Sequence, residues 1–167
     1  KETELTQTNH NGTKITHEYF DNYKLQKLSN LKSDSAVISS FDYTYDTGGN
    51  ILTKTNQNNY CETYYYDVLS QLVKVEYGDS KIVEYDYDNV GNRLQMKIFT
   101  TNDTNITNYN YNTDNQLLYY VTNGTDTILF EYDRNGNQVC ETDVIKNSAN
   151  QNFWDYDDRL IKITLNN

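Results

Sequence analysis

The residues of this chain best suited to chemistry are its clustered acids, and their spacing indicates what they do. Asp86 and Asp88 form one cluster, and Asp155, Asp157 and Asp158 another. Clustered carboxylates suggest Ca²⁺, which takes roughly six to eight oxygen ligands in a fixed loop. Here the spacing follows a different rule. Asp46, Asp67, Asp88, Asp133 and Asp155 each stand directly after an aromatic residue and just before a turn. An Asp in that place accepts hydrogen bonds from backbone N–H groups two or three residues on. Asn does the same, so Asn112 fits the series. Turn capping is the expected role, with no metal and no cofactor. His10 and His17 lie in a polar stretch, with no Ser/His/Asp or Cys/His signature around them, and read as surface histidines. There is no glycine-rich phosphate loop and no paired-cysteine zinc signature. The chain is expected not to be an enzyme. Trp154 could stack on a sugar ring, with the tyrosines beside it, or could simply pack in the core.

The acids belong to a repeat. Tyr45-Asp46, Tyr66-Asp67, Tyr87-Asp88, Tyr111-Asn112, Tyr132-Asp133 and Trp154-Asp155 recur at intervals of 21, 21, 24, 21 and 22 residues. A unit of this length is one supersecondary element that cannot bury its own apolar face, so it must stack on its neighbours. Tyr19, followed by Leu25, marks a weaker unit before these six. The chain therefore reads as a polar strand or loop region over residues 1–17, then a tandem array over 18–167 of about seven hairpin units of about 21 residues.

Period-two alternation makes each unit a hairpin. In residues 81–100, Val83, Tyr85 and Tyr87 alternate with Ile82, Glu84 and Asp86. Beyond Gly91-Asn92, Leu94, Met96 and Ile98 alternate with Arg93, Gln95 and Lys97. This predicts an apolar inner face holding Tyr87 and Leu94. Glu84 and Asp86 would face Arg93 and Lys97 on a charged outer face. Gly49-Asn50, Gly91-Asn92 and Gly136-Asn137 are expected in left-handed turn positions. The other units have Ser70-Gln71, Asn115-Gln116 and Asp158-Arg159 there, and the next apolar residue comes one position earlier. Two alternating hairpin types, with a true period of a pair, are the expectation. Between units, linking turns are expected at 56–59, 77–80, 101–105, 123–124 and 147–150. Lys24 to Asp34 reads as strand plus loop, and no helix is expected.

Composition agrees with an all-β antiparallel array. The chain has 167 residues, 17 of them Tyr, and no Pro. Ile, Leu, Val and Phe total only 37, so tyrosine must supply much of the core. Cys61 and Cys140 lie three units apart, about 25–30 Å at ordinary strand spacing, and are expected to be free thiols. The net charge of −10 argues against nucleic acid and against an anionic membrane surface. No apolar run is long enough to span a bilayer. The chain begins at Lys1 without a signal-peptide pattern and reads as a mature or excised piece.

The pattern Tyr85-Asp86-Tyr87-Asp88-Asn89-Val90-Gly91-Asn92 closely resembles the RHS/YD-repeat family. Tyr43 to Asn50 and Phe130 to Asn137 resemble it too, and Asp158-Arg159-Leu160 is similar to the family's second form. The resemblance covers about residues 18–165. It implies a spiralling β-sheet wound into a hollow shell, as in bacterial secreted and wall-associated proteins that carry toxins and in the animal teneurins. The family's self-cleaving core needs an Asp-Pro-type signature, and this chain has no Pro. The resemblance therefore implies a non-catalytic scaffold or encapsulation segment of a secreted or surface-associated bacterial protein. Its partners would be the rest of a larger repeat protein or its payload. The alternative is an adhesion module for glycans or a surface protein. The isolated array is expected to bury its apolar face by coiling or by self-association through its sheet edges.

Overall fold

The structure, a computed structural model, describes residues 4–166. It is all-β, a single open antiparallel sheet of fifteen strands whose spatial order is the chain order. The chain divides into two compact units, 1–82 and 83–167. The first holds β1 (Glu4–Thr8), β2 (Lys14–Tyr19), β3 (Leu25–Leu31), β4 (Val37–Tyr45), β5 (Ile51–Asn56), β6 (Cys61–Tyr66) and β7 (Leu72–Tyr77). The second, from the second residue of β8 (Ile82–Tyr87) onward, holds β9 (Arg93–Phe99), β10 (Thr104–Tyr111), β11 (Leu117–Thr122), β12 (Asp126–Tyr132), β13 (Gln138–Asp143), β14 (Ser148–Trp154) and β15 (Leu160–Asn166). The polar region before residue 18 supplies β1 and most of β2.

Two sets of turns join these strands. Seven signature turns follow the repeat aromatics, and linking turns close the hairpins between them. Every signature turn has the same backbone. Its first residue donates N–H to the carbonyl of the fifth, and its fourth donates back to the first, as in Asp46 N to Asn50 O at 3.0 Å and Gly49 N to Asp46 O at 3.2 Å. The fourth residue always has positive φ: Tyr23, Gly49, Ser70, Gly91, Asn115, Gly136 and Asp158. Each aromatic pairs with the residue six positions on, Tyr45 with Ile51 and Tyr132 with Gln138, through a register shift that marks a β-bulge. The expected alternation of two hairpin types is therefore corrected. One turn geometry serves all seven, and strands resume at the same offset whether or not that residue is apolar. Asn50, Asn92 and Asn137 are also not left-handed; only the glycines before them are.

Among the described residues there is no helix or second sheet to cover this one. Val75 and Val83 are the buried apolar residues among those described, at 2% and 4% exposure. The accessible surface is 11279 Å², about 30% more than the roughly 8,600 Å² of a compact monomer of this mass. Two expectations about faces change as a result. Leu94 is 43% exposed rather than buried with Tyr87, which is half-buried. Arg93 does not join the charged face. It stands at the residue after the turn, where the bulge turns side chains toward the tyrosines. Its guanidinium lies 5.7 Å from the Tyr85 ring centre and 4.5 Å from that of Tyr109. Its Nε is buried without a hydrogen-bond partner, so ring stacking replaces hydration there. Asp86 and Lys97 do pair across the strands, at 3.7 Å.

The linking turns are less uniform. In the first unit, those at Asn9–Thr13, Lys32–Ala36, Asn56–Tyr60 and Tyr77–Lys81 reproduce the signature backbone. The second unit uses other solutions. Asn123 and Gly124, with φ of 52° and 76°, lead a tight three-residue turn that ends at Thr125. The turn expected at 147–150 lies instead at 144–147, since β14 already runs from Ser148. Val144 and Ile145 sit at its tip, 48% and 64% exposed, which is why hydrophobicity hid it.

Candidate functional site

The repeat residues converge at the signature turns. Each capping side chain accepts two or three backbone bonds. Asp46 Oδ1 accepts from Gly49 N at 2.7 Å and Asn50 N at 2.9 Å. Asp88 Oδ1 accepts from Val90 N and Asn92 N, Asp67 from Leu69 N and Gln71 N, and Asp133 from Asn135 N and Asn137 N. Asn112 Oδ1 accepts from Asp114 N and Gln116 N in the same way. The first turn has Phe20 in the capping place and keeps the same backbone bonds, with Asn22 Oδ1 accepting from Lys24 N at 3.2 Å.

These bonds lower the carboxyl pKa values. Asn50, through its side-chain amide, does most to hold Asp46 below the usual range. At Asp88 and Asp133 desolvation is the largest influence and opposes the shift, but the bonds from Asn92 and Asn137 outweigh it. At Asp155 the main cause is Arg159, whose Nε and Nη2 each lie 2.8 Å from Asp155 Oδ2. Arg159 Nη2 is also 3.2 Å from Asp157. Arg159 thus offsets part of the acid cluster at 155–158, pairing with Asp155 and Asp157. Among the described residues no group of three or more His, Cys, Asp or Glu is placed to hold a metal ion.

The aromatics tie one hairpin to the one before it. Tyr45 Oη donates to Leu25 O at 2.8 Å, and Tyr66 Oη to Ile51 O at 3.0 Å. Tyr111 Oη reaches Arg93 O at 3.1 Å, and Tyr132 Oη reaches Leu117 O at 2.9 Å. Trp154 Nε1 takes the same place, 2.9 Å from Gln138 O. Every acceptor is the residue at the preceding hairpin's bulge. Burial pushes the hydroxyls of Tyr45, Tyr66, Tyr111 and Tyr132 up, so they remain donors at neutral pH. All six repeat aromatics are half-buried.

A second set of contacts links neighbouring turns, and the sequence reading missed it. Asn50 Nδ2 lies 3.4 Å from Ser70 Oγ, Asn92 Nδ2 2.9 Å from Asn115 Oδ1, and Asn137 Nδ2 2.7 Å from Asp158 Oδ1. The pairwise period is therefore real, but it lies in side chains rather than in turn type. The alternation of Gly-Asn with Ser-Gln, Asn-Gln and Asp-Arg was its signal.

The remaining candidates are quiet. His10 is exposed, and His17 is half-buried, stacked on Tyr19 at 6.4 Å. Cys61 and Cys140 are free. A groove of about 290 Å³ at Tyr120, Asp126, Asp143 and Lys146 holds an Asp143–Lys146 ion pair of 2.8 Å. No described helix is long and apolar enough to cross a membrane.

No family model matches the chain. Over 99 residues, 59% of its length, it is 31% identical to the tRNA nuclease WapA of Bacillus subtilis. It is 31% identical over 99 residues to the tRNA3(Ser)-specific nuclease WapA of Bacillus spizizenii. The chain spans only 4% of the length of either relative. In three dimensions it is similar to a chain in the Tc holotoxin pore of Photorhabdus luminescens. The TM-score is 0.68 at 17% identity, over 98% of this chain and 11% of that one. That likeness extends the all-β repeat fold to a toxin assembly.

Proposed function

We propose that this chain is a non-catalytic scaffold segment of an RHS/YD-repeat toxin-type protein, secreted or held at the bacterial surface, whose sheet helps to enclose a payload. One observation carries the reading: the polar tips of the repeat aromatics are bonded to backbone carbonyls of the preceding hairpin. Groups tied in this way hold architecture and are not free to act on a substrate. The acids are likewise committed, to turn N–H groups and to Asn or Arg side chains. The repeat motif and the likeness to WapA and to the Tc holotoxin chain support a shell setting. In this reading the nuclease activity in the relatives' names belongs to parts of those proteins outside the 4% matched here.

The test has two arms. The chain incubated with bulk tRNA should leave the RNA intact and itself remain one species of 19.6 kDa. In the full-length protein, deleting one hairpin pair should expose the payload region to protease. Cleavage of tRNA by this chain, or unchanged protection after the deletion, would overturn the reading.

A second reading, adhesion to a glycan or a surface protein, rests on two exposed rings at signature turns, Tyr23 at 74% and Tyr156 at 89%. Trp154 is half-buried with its indole N–H bonded to Gln138 O, and offers less open ring face than these two. Glycan-array binding lost in Tyr156→Ala but kept in Trp154→Phe would favour it.

A further inference from the structure

One arginine stands where the repeat elsewhere holds an aliphatic residue. The position six after the repeat aromatic is Leu25, Ile51, Leu72, Leu117 and Leu160 in five of the turns. It is Gln138 in one more and Arg93 in the last. The backbone at Arg93 keeps its ordinary duty. Tyr111 Oη donates to Arg93 O at 3.1 Å, as Tyr45 and Tyr66 do to Leu25 O and Ile51 O. A leucine would serve that architecture as well. A residue that breaks the rule of its own repeat, with no gain to the fold, marks a functional position.

The chain has three arginines in three different settings. Arg134 is exposed at a turn. Arg159 holds Asp155 and Asp157. Arg93 is half-buried against Tyr85 and Tyr109, and among the described residues no acid pairs with it. Its Nε also has no hydrogen-bond partner. Ring contact does not by itself displace an acid. Lys54 and Lys74 lie over Phe41 and Tyr65, yet each keeps a carboxylate, Glu62 at 3.6 Å and Glu76 at 2.6 Å. A guanidinium stacked on rings is weakly hydrated and held in one plane, and its fork of N–H donors matches a carboxylate bidentately. Beyond Arg93 the rings continue as a half-buried row, Tyr109 to Tyr120 at 5.8 Å and Tyr120 to Phe130 at 6.0 Å. A single uncommitted cation therefore stands at the end of an aromatic row.

We propose that Arg93, framed by Tyr85 and Tyr109, is a docking point for a carboxylate side chain of another polypeptide segment. An apolar side chain beside that carboxylate lies along Tyr109, Tyr120 and Phe130. The guanidinium donates to the carboxylate oxygens, and the rings on either side keep it in the plane that they require. The occupant brings one negative charge because the site offers one cation. A phosphate, with up to two charges, needs more cations than this, and the chain's net charge of −10 opposes it further. The site goes beyond the scaffold reading, since an acidic segment would bind it in an enclosing sheet and in an adhesion module alike.

The test titrates the chain with the capped dipeptide Ac-Phe-Asp-NH2, using Ac-Phe-Asn-NH2 as the uncharged control. Side-chain NMR reads the site through the Arg93 Nε–H signal and the ring signals of Tyr109 and Tyr120. The Asp dipeptide should shift all three saturably. The Asn dipeptide should bind roughly tenfold more weakly, the loss expected for a charge-assisted hydrogen bond. Arg93→Leu restores the residue type of the counterpart turns. It should abolish the ring shifts while leaving the thermal midpoint unchanged or higher, which a structural arginine would not allow. Arg93→Lys keeps the charge without the fork and should bind several-fold more weakly than the parent. Where Arg93→Leu does not fold, Arg93→Gln carries the same comparison. Equal binding of the two dipeptides, or binding retained in Arg93→Leu or Arg93→Gln, overturns the site. Acetate binding as tightly as the Asp dipeptide makes a free small carboxylate the occupant and overturns the docking. Inorganic phosphate binding more tightly than the dipeptide overturns the choice of carboxylate.

Discussion

The signature turns and the linking turns perform the same reversal of the chain, yet only the first set is held constant. All seven signature turns share one hydrogen-bond pattern and a left-handed fourth residue. The linking turns share it in the first unit, and in the second unit they include the tight turn at 123–125 and the longer turn at 144–147. Geometry alone does not explain the contrast, because either set closes a hairpin. The difference lies in what each turn must touch. A signature turn places an aromatic on its predecessor's carbonyl and exchanges side-chain contacts with neighbouring signature turns. A linking turn needs only to return the chain. Constancy therefore marks contacts between hairpins, not the demands of the turn itself.

Substitutions should separate the two sets most clearly where an aromatic tie is lost. Tyr132→Ala removes a half-buried ring and its bond to Leu117 O, and should cost about 2–4 kcal/mol in a denaturant melt. Ile145→Ala, at a linking-turn tip, should cost no more than about 0.5 kcal/mol. Equal costs would erase the distinction. Next in size is glycine. Gly136→Ala meets both a φ of 89° and Gln116 at 3.2 Å, and should cost about 1–3 kcal/mol. Gly124→Ala meets a φ of 76° with open space around it, and should cost about 1 kcal/mol. The Gln116→Ala background should bring the first value down toward the second, and failure to do so would mean that crowding plays no part. Asn112→Ala should cost about 0.5–2 kcal/mol by analogy with loss of a helix cap. Asp34, which gives its linking turn a single bond to Ala36 N, should matter less when changed to Ala.

The smallest effect is a pH dependence. Asp46, Asp88, Asp133 and Asp155 have depressed folded pKa values. The stability they add is complete above the unfolded value of about 3.9 and is lost as pH falls through the folded values. Replacing all four with Asn, which caps equally well at 112, should flatten thermal midpoint against pH below pH 4. An unchanged slope in the fourfold variant would show that the acid sensitivity arises elsewhere.

Much of this was legible before the structure. Tyr-Asp spacing located the hairpins because a carboxylate cap and a tyrosine anchor are local chemistry at fixed offsets. The fourth-residue glycines were legible because few residues tolerate positive φ. Three things were not. Period-two reading fails across a bulge, so Arg93 and Leu94 were placed on the wrong faces and one turn type looked like two. The role of Asn50, Asn92 and Asn137 depends on residues about 20 positions away and leaves only an alternation behind. The turn at 144–147 was masked by Val144 and Ile145, which hydrophobicity counts as strand although both point into solvent at a tip.

The bonds from aromatic to preceding carbonyl also give this sheet a direction in time. Each ring looks back to a hairpin made earlier in the chain, so its acceptor already exists when the ring arrives. Antiparallel neighbours close over short loops, which keeps contacts local and folding fast. Such a chain can be laid down vectorially, hairpin upon hairpin, as it leaves a ribosome or threads out of a secretion channel with its N-terminus first. Delivered in the opposite order, each tyrosine would wait for a carbonyl still upstream, with a growing open edge exposed meanwhile to other chains.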